Sequence, residues 1–240
     1  MKNGFFITGT GTGVGKTFFT AGFLSLLRRA GINAAPLKTV QTGSAKNRIS
    51  PDLSCIFKAS GFKPEKSLLK YMQPFAFSKP CSPHLACELD NKPPACIPVI
   101  IDSTKKLLEK YDMVLAEGAG GVLVPVDRKN RVAMIDLMAA LGLPIIVVAH
   151  AGLGTINHTC LTLEALKHRN LAIAGFVLNN GTDKKSDHIT EDNAKVIEEF
   201  TGIGCLGTLV HVKNMKNLLA VFEKLNGLEQ LVKGAGHGQG

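Results

Sequence analysis

Nine residues near the start of the chain constrain its fold more than any others. A short apolar run ending at Thr8 leads into Gly9-Thr10-Gly11-Thr12-Gly13-Val14-Gly15-Lys16-Thr17, and an amphipathic stretch comes next. Alternating glycines let a backbone wrap tightly, so that successive amide N–H groups point inward at phosphate oxygens. A helix opening near Gly15 brings the positive end of its dipole to the same place. In such a loop Lys16 reaches the outer phosphates and the Thr17 hydroxyl ligates magnesium. The strict consensus has its first glycine where this chain has Thr10, so the loop is a variant. A plain glycine-rich turn is the bland alternative, and Gly-Lys-Thr directly after a strand weighs against it. The expectation is a loop that cradles a nucleoside triphosphate with magnesium.

A strand feeding a phosphate loop and a helix is one unit of a parallel sheet, and the rest of the chain repeats that alternation. Short apolar runs at 5–8, 34–40, 113–116, 144–149, 174–178 and 204–209 predict strands. Most are apolar throughout, as expected for strands covered on both faces. Amphipathic stretches predict helices over 15–30, 52–60, 97–110, 133–141, 155–169, 187–201 and 214–232. Arg28 and Arg29 sit at the end of the first helix and Gly31 follows as a left-handed cap. The proline-rich stretch 62–95 reads as a loop-rich excursion over the sheet. The fold class expected is α/β: a single-domain, doubly wound, mostly parallel sheet of the P-loop NTPase type with helices on both faces. The domain is expected over 1–233, with 234–240 as a flexible glycine-rich tail.

Composition excludes several classes. The longest apolar segments are far too short to cross a bilayer, which takes about 20 residues. Met1-Lys2-Asn3-Gly4 carries no signal-peptide pattern, so a cytoplasmic location is expected. The net charge of +9 is scattered and aromatic residues total 6%, so a field attracting small anions fits better than a nucleic-acid stripe. Six cysteines (Cys55, Cys81, Cys87, Cys96, Cys160, Cys205) lack zinc-ligand spacing and read as unpaired buried thiols.

Two further residues carry chemistry. Glu117 closes the strand at 113–116 and precedes Gly118-Ala119-Gly120-Gly121. Ligands of doubly wound sheets gather at the carboxyl ends of strands, where a carboxylate can hold a nucleotide's magnesium. A surface acid is the alternative. Lys38 interrupts the apolar strand at 34–40. Aimed into a phosphate cleft it would be paired and would stabilise charge developing in phosphoryl transfer. A strand-end lysine reaching out to solvent is the other reading.

Through these residues and their neighbours the sequence resembles the dethiobiotin synthetase family from about residue 5 to residue 210. The landmarks occur in order: Phe6-Ile7-Thr8-Gly9-Thr10 through Thr17, Lys38-Thr39-Val40-Gln41-Thr42-Gly43, Ser82-Pro83-His84, Glu117-Gly118-Ala119-Gly120-Gly121 and Gly154-Thr155-Ile156-Asn157-His158. The resemblance implies closure of a cyclic urea from a diaminononanoate, carbon dioxide and Mg-ATP. It implies catalytic roles for Lys16, Lys38 and Thr12. Nucleotide contacts are implied for Gly13, Val14, Gly15, Lys16, Thr17, Phe18, Asp52, Glu117, Gly118, Ala119, Gly120 and the adenine-reading Asn179. Thr17, Asp52 and Glu117 would ligate magnesium. Thr42 would touch the reacting end of the diamine, and Gly152, Leu153, Gly154, Thr155 and Asn157 would hold its carboxylate. A homodimer building each site from two chains is implied, with no nucleic-acid or membrane partner.

Alternatives stay open at single positions. Asp52, beside Pro51, also suits an acid in the first turn of a helix. His84 could hold its loop or touch substrate, and packing within the helix is expected of His158. Gly11 and Gly13 stand where many relatives carry acids. Two rivals are a related amide-forming ligase of cobalamin synthesis, whose usual glutaminase domain is not expected in a sequence of this length, and a partitioning-type ATPase switch. Its loop carries an additional lysine where this chain has Gly11, and the mixed charge of 214–232 does not suit a membrane-targeting helix.

Overall fold

The computed structural model describes residues 3–44, 48–181, 188–212 and 217–236. Six strands form one parallel sheet: β1 (Gly4–Gly9), β2 (Ala34–Lys38), β3 (Met113–Glu117), β6 (Ile145–His150), β7 (Ile173–Asn179) and β8 (Cys205–Leu209). Their order is β2-β3-β1-β6-β7-β8. Connections leave β1 toward β2 and return through β3 to β6. The order therefore reverses at β1, where a doubly wound sheet opens its ligand crevice. β1, β2 and β3 are buried along their whole length, as their unbroken apolar runs require.

The principal helices are α1 (Lys16–Arg29), α2 (Pro51–Ser60), α5 (Ile97–Leu108), α6 (Met134–Leu141), α7 (Thr155–His168) and α8 (His188–Thr201). Phe19 and Phe23 of α1 pack with Phe5 and Phe222 at ring separations of 5.5–5.7 Å. The end of α1 is as its sequence suggests. Gly31, at φ 84°, lets Ile32 N–H reach the Leu27 carbonyl and Gly31 N–H the Arg28 carbonyl.

Several boundaries differ from expectation. The stretch 62–95 is partly helical, with a single 3₁₀ turn at Lys66–Leu68, α3 (Leu69–Met72) and α4 (Pro83–Leu89). A small antiparallel pair, β4 (Pro125–Asp127) and β5 (Val132–Ala133), follows the Glu117 loop. Of the helix expected over 214–232, residues 214–216 lie outside the described residues, and the rest is two helices, α9 (Leu218–Phe222) and α10 (Asn226–Gly236). The break has a packing cause. Phe222 seats against Gly22, and a Cβ on Gly227 would lie 2.6 Å from Leu206 Cα, so the chain must turn between two docking points. Because α10 runs to Gly236, helix continues past the boundary at 233, and 237–240 lie outside the described residues. Among the described residues no helix is long and apolar enough to cross a membrane.

Candidate functional site

Register brings the site together before any side chain is considered. Glu117 pairs with Ile7 on one side and Lys38 on the other, so the carboxyl ends of β2, β3 and β1 meet. The glycine loop leaves β1 at that point. Gly15 adopts φ 99°, and a Cβ there would lie 2.1 Å from Asn179 Nδ2, so backbone conformation and space both demand glycine. Asn179 Nδ2 donates to the Val14 carbonyl at 2.9 Å, clamping the loop to the end of β7.

Around Glu117, which is 1% exposed, the hydrogen bonds are dense. Thr17 Oγ1 donates to Oε1 at 2.8 Å and Thr20 Oγ1 to Oε2 at 2.7 Å. Lys38 Nζ, also buried, reaches Glu117 Oε1 at 2.7 Å, Asp52 Oδ2 at 2.6 Å and the Gly118 carbonyl at 3.1 Å. Asp52 lies in the first turn of α2, whose cap Ser50 accepts from Leu53 N–H. Asp52 is thus a first-turn acid, as one of its two readings has it, and its carboxylate also meets Lys38 beside Glu117. Lys16 Nζ folds back onto the loop, donating to the carbonyls of Gly11 (2.6 Å) and Gly120 (2.9 Å).

These environments push the two lysines apart. Burial, and then repulsion from Lys38, lower Lys16 from 10.5 to about 8, against a weaker pull from Glu117 and Asp52. Burial also disfavours the Lys38 ammonium, but Glu117 and Asp52 together outweigh it and raise its pKa. Lys38 remains a firm cation, whereas Lys16 is held at a cost until an anion arrives.

A cavity of about 610 Å³ opens over this cluster, lined by Thr12, Gly13, Gly15, Lys16, Thr17, Lys38, Thr42, Asp52, Glu117, Ala119 and Gly120 among others. A second, of about 940 Å³, lies across the loop between Thr12, Gly13, Val14, Gly152, Leu153, Thr155, Asn179 and the start of α8. Gly154, at φ 88°, caps α7 at its edge. Phe18 and Asn157 line neither cavity. The Phe18 ring packs 6.1 Å from that of Phe222, and Asn157 is exposed on α7.

The expectation that His158 packs within its helix fails. It is exposed and lines the second cavity, because the first turn of α7 faces the glycine loop. His84 lies in the first turn of α4 and approaches the Pro125 carbonyl of β4 at 3.4 Å. Of the cysteines, all free, only Cys87 is buried, while Cys55 and Cys96 are exposed. Sequence reasoning missed Thr20, although its position one turn after Thr17 on the same face was the available signal. It also missed Asn193 of α8, which reaches the Ala151 carbonyl.

Among the described residues no cluster of three or more His, Cys, Asp or Glu could hold a metal unaided. Two carboxylates and a hydroxyl are nonetheless the hard oxygen donors that magnesium takes, with phosphates and water completing its shell. Lys38 Nζ, bridging Asp52 and Glu117, marks the gap between those carboxylates as one that receives a cation. The residues fit.

A family model described as an AAA domain matches residues 3–217. The solved structure of a ParA family ATPase from Chlorobium tepidum superposes with a TM-score of 0.54 at 18% identity, covering 99% of this chain and 100% of that one. The septum site-determining protein MinD of Pyrococcus horikoshii, complexed with Mg-ADP, gives 0.53 at 15%, covering 100% and 96%. At such identities the likeness concerns the fold alone. The sequence relatives are nearer. The ATP-dependent dethiobiotin synthetase BioD of Clostridium novyi is 37% identical over 234 residues, 94% of this chain and 96% of its own. That of Anoxybacillus flavithermus is 39% identical over 228 residues, 92% and 97%. Identity sustained at that level from end to end of both chains makes this protein a member of the dethiobiotin synthetase family.

Proposed function

We propose that this protein is an ATP- and magnesium-dependent ligase that closes the cyclic urea of dethiobiotin from diaminononanoate and carbon dioxide. The observation that carries the reading is the convergence of Lys16, Lys38, Thr17, Asp52 and Glu117 on one cavity under the glycine loop. A triphosphate and a carbamate repel each other, so joining them needs concentrated positive charge, oriented amides and a metal.

One amine takes up carbon dioxide as a carbamate and sheds a proton. A carbamate oxygen attacks the γ-phosphorus, the bond to the bridging oxygen breaks, and ADP leaves a carbamic-phosphoric anhydride. The second amine attacks the carbamoyl carbon and loses a proton, and phosphate departs as the ring closes. In this reading Lys16 turns from the Gly11 and Gly120 carbonyls to the outer phosphates. Lys38 meets the carbamate and the transferring phosphoryl group, with Thr12 and Thr42 beside it. Thr17, Asp52 and Glu117 would hold magnesium, which when bound neutralises phosphate charge. Asn179, its Nδ2 engaged by Val14, would read adenine through Oδ1. The chain itself forms no covalent intermediate.

A homodimer belongs to the same proposal. Leu153 projects fully from the loop before α7, and Leu123, Ile135, Leu161 and Ala165 line a shallow apolar hollow of about 410 Å³. The deciding experiment is mass spectrometry of protein incubated with diaminononanoate, bicarbonate and Mg-ATP, with phosphate release followed alongside. A cyclic urea that requires all three additions supports the reading. ATP turnover indifferent to the diamine refutes it.

A further inference from the structure

Asn193 stands outside both cavities, yet it is a buried polar side chain aimed at the loop that borders them. It sits one turn beyond Thr190 on α8, only 7% exposed, and its Nδ2 donates to the Ala151 carbonyl at 3.1 Å. Ala151 is itself buried, and its N–H donates to the Asn179 carbonyl at 3.1 Å. Asn179 in turn holds Val14 of the glycine loop. Directly after Ala151 come Gly152, Leu153 and Gly154, all exposed, before α7 begins at Thr155.

A segment with two glycines in three residues has little conformational preference of its own. Its geometry is set by its two ends and by one bond across it, from Thr155 N–H to the Gly152 carbonyl at 3.2 Å. One end is the first turn of α7. The other is Ala151, and both polar groups of its backbone are engaged, the N–H by β7 and the carbonyl by α8.

We infer that Asn193 is a positioning residue: by holding the Ala151 carbonyl it fixes the loop before α7 so that the loop receives the carboxylate of the diamine substrate. The inference rests on the ligase reading and adds a residue that acts only through the loop. Asn193 is too deep to touch substrate. Without it the Ala151 carbonyl is left unpaired in a buried position, and the glycine-rich loop samples conformations in which its amides no longer converge.

The test crosses a variant with a substrate analogue. Asn193→Ala and the near-isosteric Asn193→Asp, which presents an acceptor where a donor is needed, are compared with the parent protein. Each is assayed with diaminononanoate and with the same vicinal diamine lacking its carboxylate. The expected result is that both variants lose about tenfold more kcat/KM with the carboxylate substrate than with the analogue, the worth of roughly one buried hydrogen bond. The loss should appear in the KM for diaminononanoate, with the KM for ATP moved far less. If Asn193→Ala does not fold, Asn193→Asp alone decides. Equal losses on the two substrates, a loss in kcat alone, or no loss overturns the assignment. So does a parent protein that handles both diamines equally well. A parent that closes a ring on neither refutes the ligase reading instead.

Discussion

Neutralising Lys16 should cost the nucleotide-free protein less than its two hydrogen bonds are worth, because a burial penalty disappears with them, although it disables the phosphate loop. Lowering the amine from 10.5 to about 8 corresponds to about 3 kcal/mol against its charged form near neutral pH. The Gly11 and Gly120 carbonyls that receive Nζ each return about 1.5–3 kcal/mol, the range for a charged donor, and so about 3–6 kcal/mol together. In Lys16→Met the burial penalty and the repulsion from Lys38 vanish together with those two bonds. The balance lies between no change and a loss of about 3 kcal/mol, or a fall of about 0–12 °C in Tm for a chain of this size.

The pH dependence is the sharper readout. Because the folded pKa is depressed, the penalty is complete below about 8 and is relieved as pH rises toward 10.5. Between about pH 7 and about pH 9.5 the parent should therefore recover about 2 kcal/mol relative to Lys16→Met, about 4–8 °C. Thermal melting by circular dichroism, with chelator and without nucleotide, measures both quantities, and calorimetric titration with Mg-ATP should give no binding to the variant. A variant melting above the parent at neutral pH, or a difference that ignores pH, would refute the reasoning.

Lys38→Ala should suppress ring closure more than ATP binding, and equal loss of both in rapid-quench and binding assays contradicts its role. The same variant strands Glu117, 1% exposed, and should cost about 3–5 kcal/mol in denaturant melts. Since the pKa of Lys38 is raised, that stabilisation is whole at neutral pH and lost only as pH climbs above the ordinary lysine range. Thr20→Val keeps its shape but removes a hydrogen bond on Glu117. It should cost about 1–3 kcal/mol and leave ATP affinity less affected than Glu117→Gln does. Gly22→Ala places a methyl 2.1 Å from the Phe222 ring, where overpacking of about 1–3 kcal/mol should exceed the ~1 kcal/mol helix gain. A raised Tm there would mean that α9 yields easily.

The parts of this molecule legible in its sequence are those fixed by short-range chemistry. Apolar runs mark the strands to within a residue or two, and Gly-Lys-Thr after β1 places the phosphate loop. Lys38 and Glu117 are both recognisable as charges at strand ends. What the sequence does not carry is that they touch. That contact depends on β3 inserting between β1 and β2, a strand order that no local pattern encodes. His158 defies its expectation because helical spacing says which residues share a face, not what that face meets. The turn between α9 and α10 is hidden for a related reason. Its cause lies in Gly22 and Leu206, remote residues whose backbones demand close approach.

The same distinction decides how much weight the fold can bear. A ParA family ATPase and a septum site-determining protein superpose on this chain over almost its whole length, so the sheet, the loop and the helix behind it do not by themselves decide the chemistry. The discriminating feature is the charge arrangement built on that frame. Lys16 and Lys38 face Asp52 and Glu117 in one cavity, a balanced set that can be buried without ligand. Bringing in magnesium, triphosphate and a carbamate disturbs that balance at both lysines. In the proposed reading Lys16 leaves two carbonyls for the phosphates, and Lys38 shares its carboxylates with the metal. A site that only held Mg-ATP would need both rearrangements. Drawing another anion to the γ-phosphate asks Lys38 in addition to meet that anion, and the Lys38→Ala comparison of ring closure with ATP binding isolates this role.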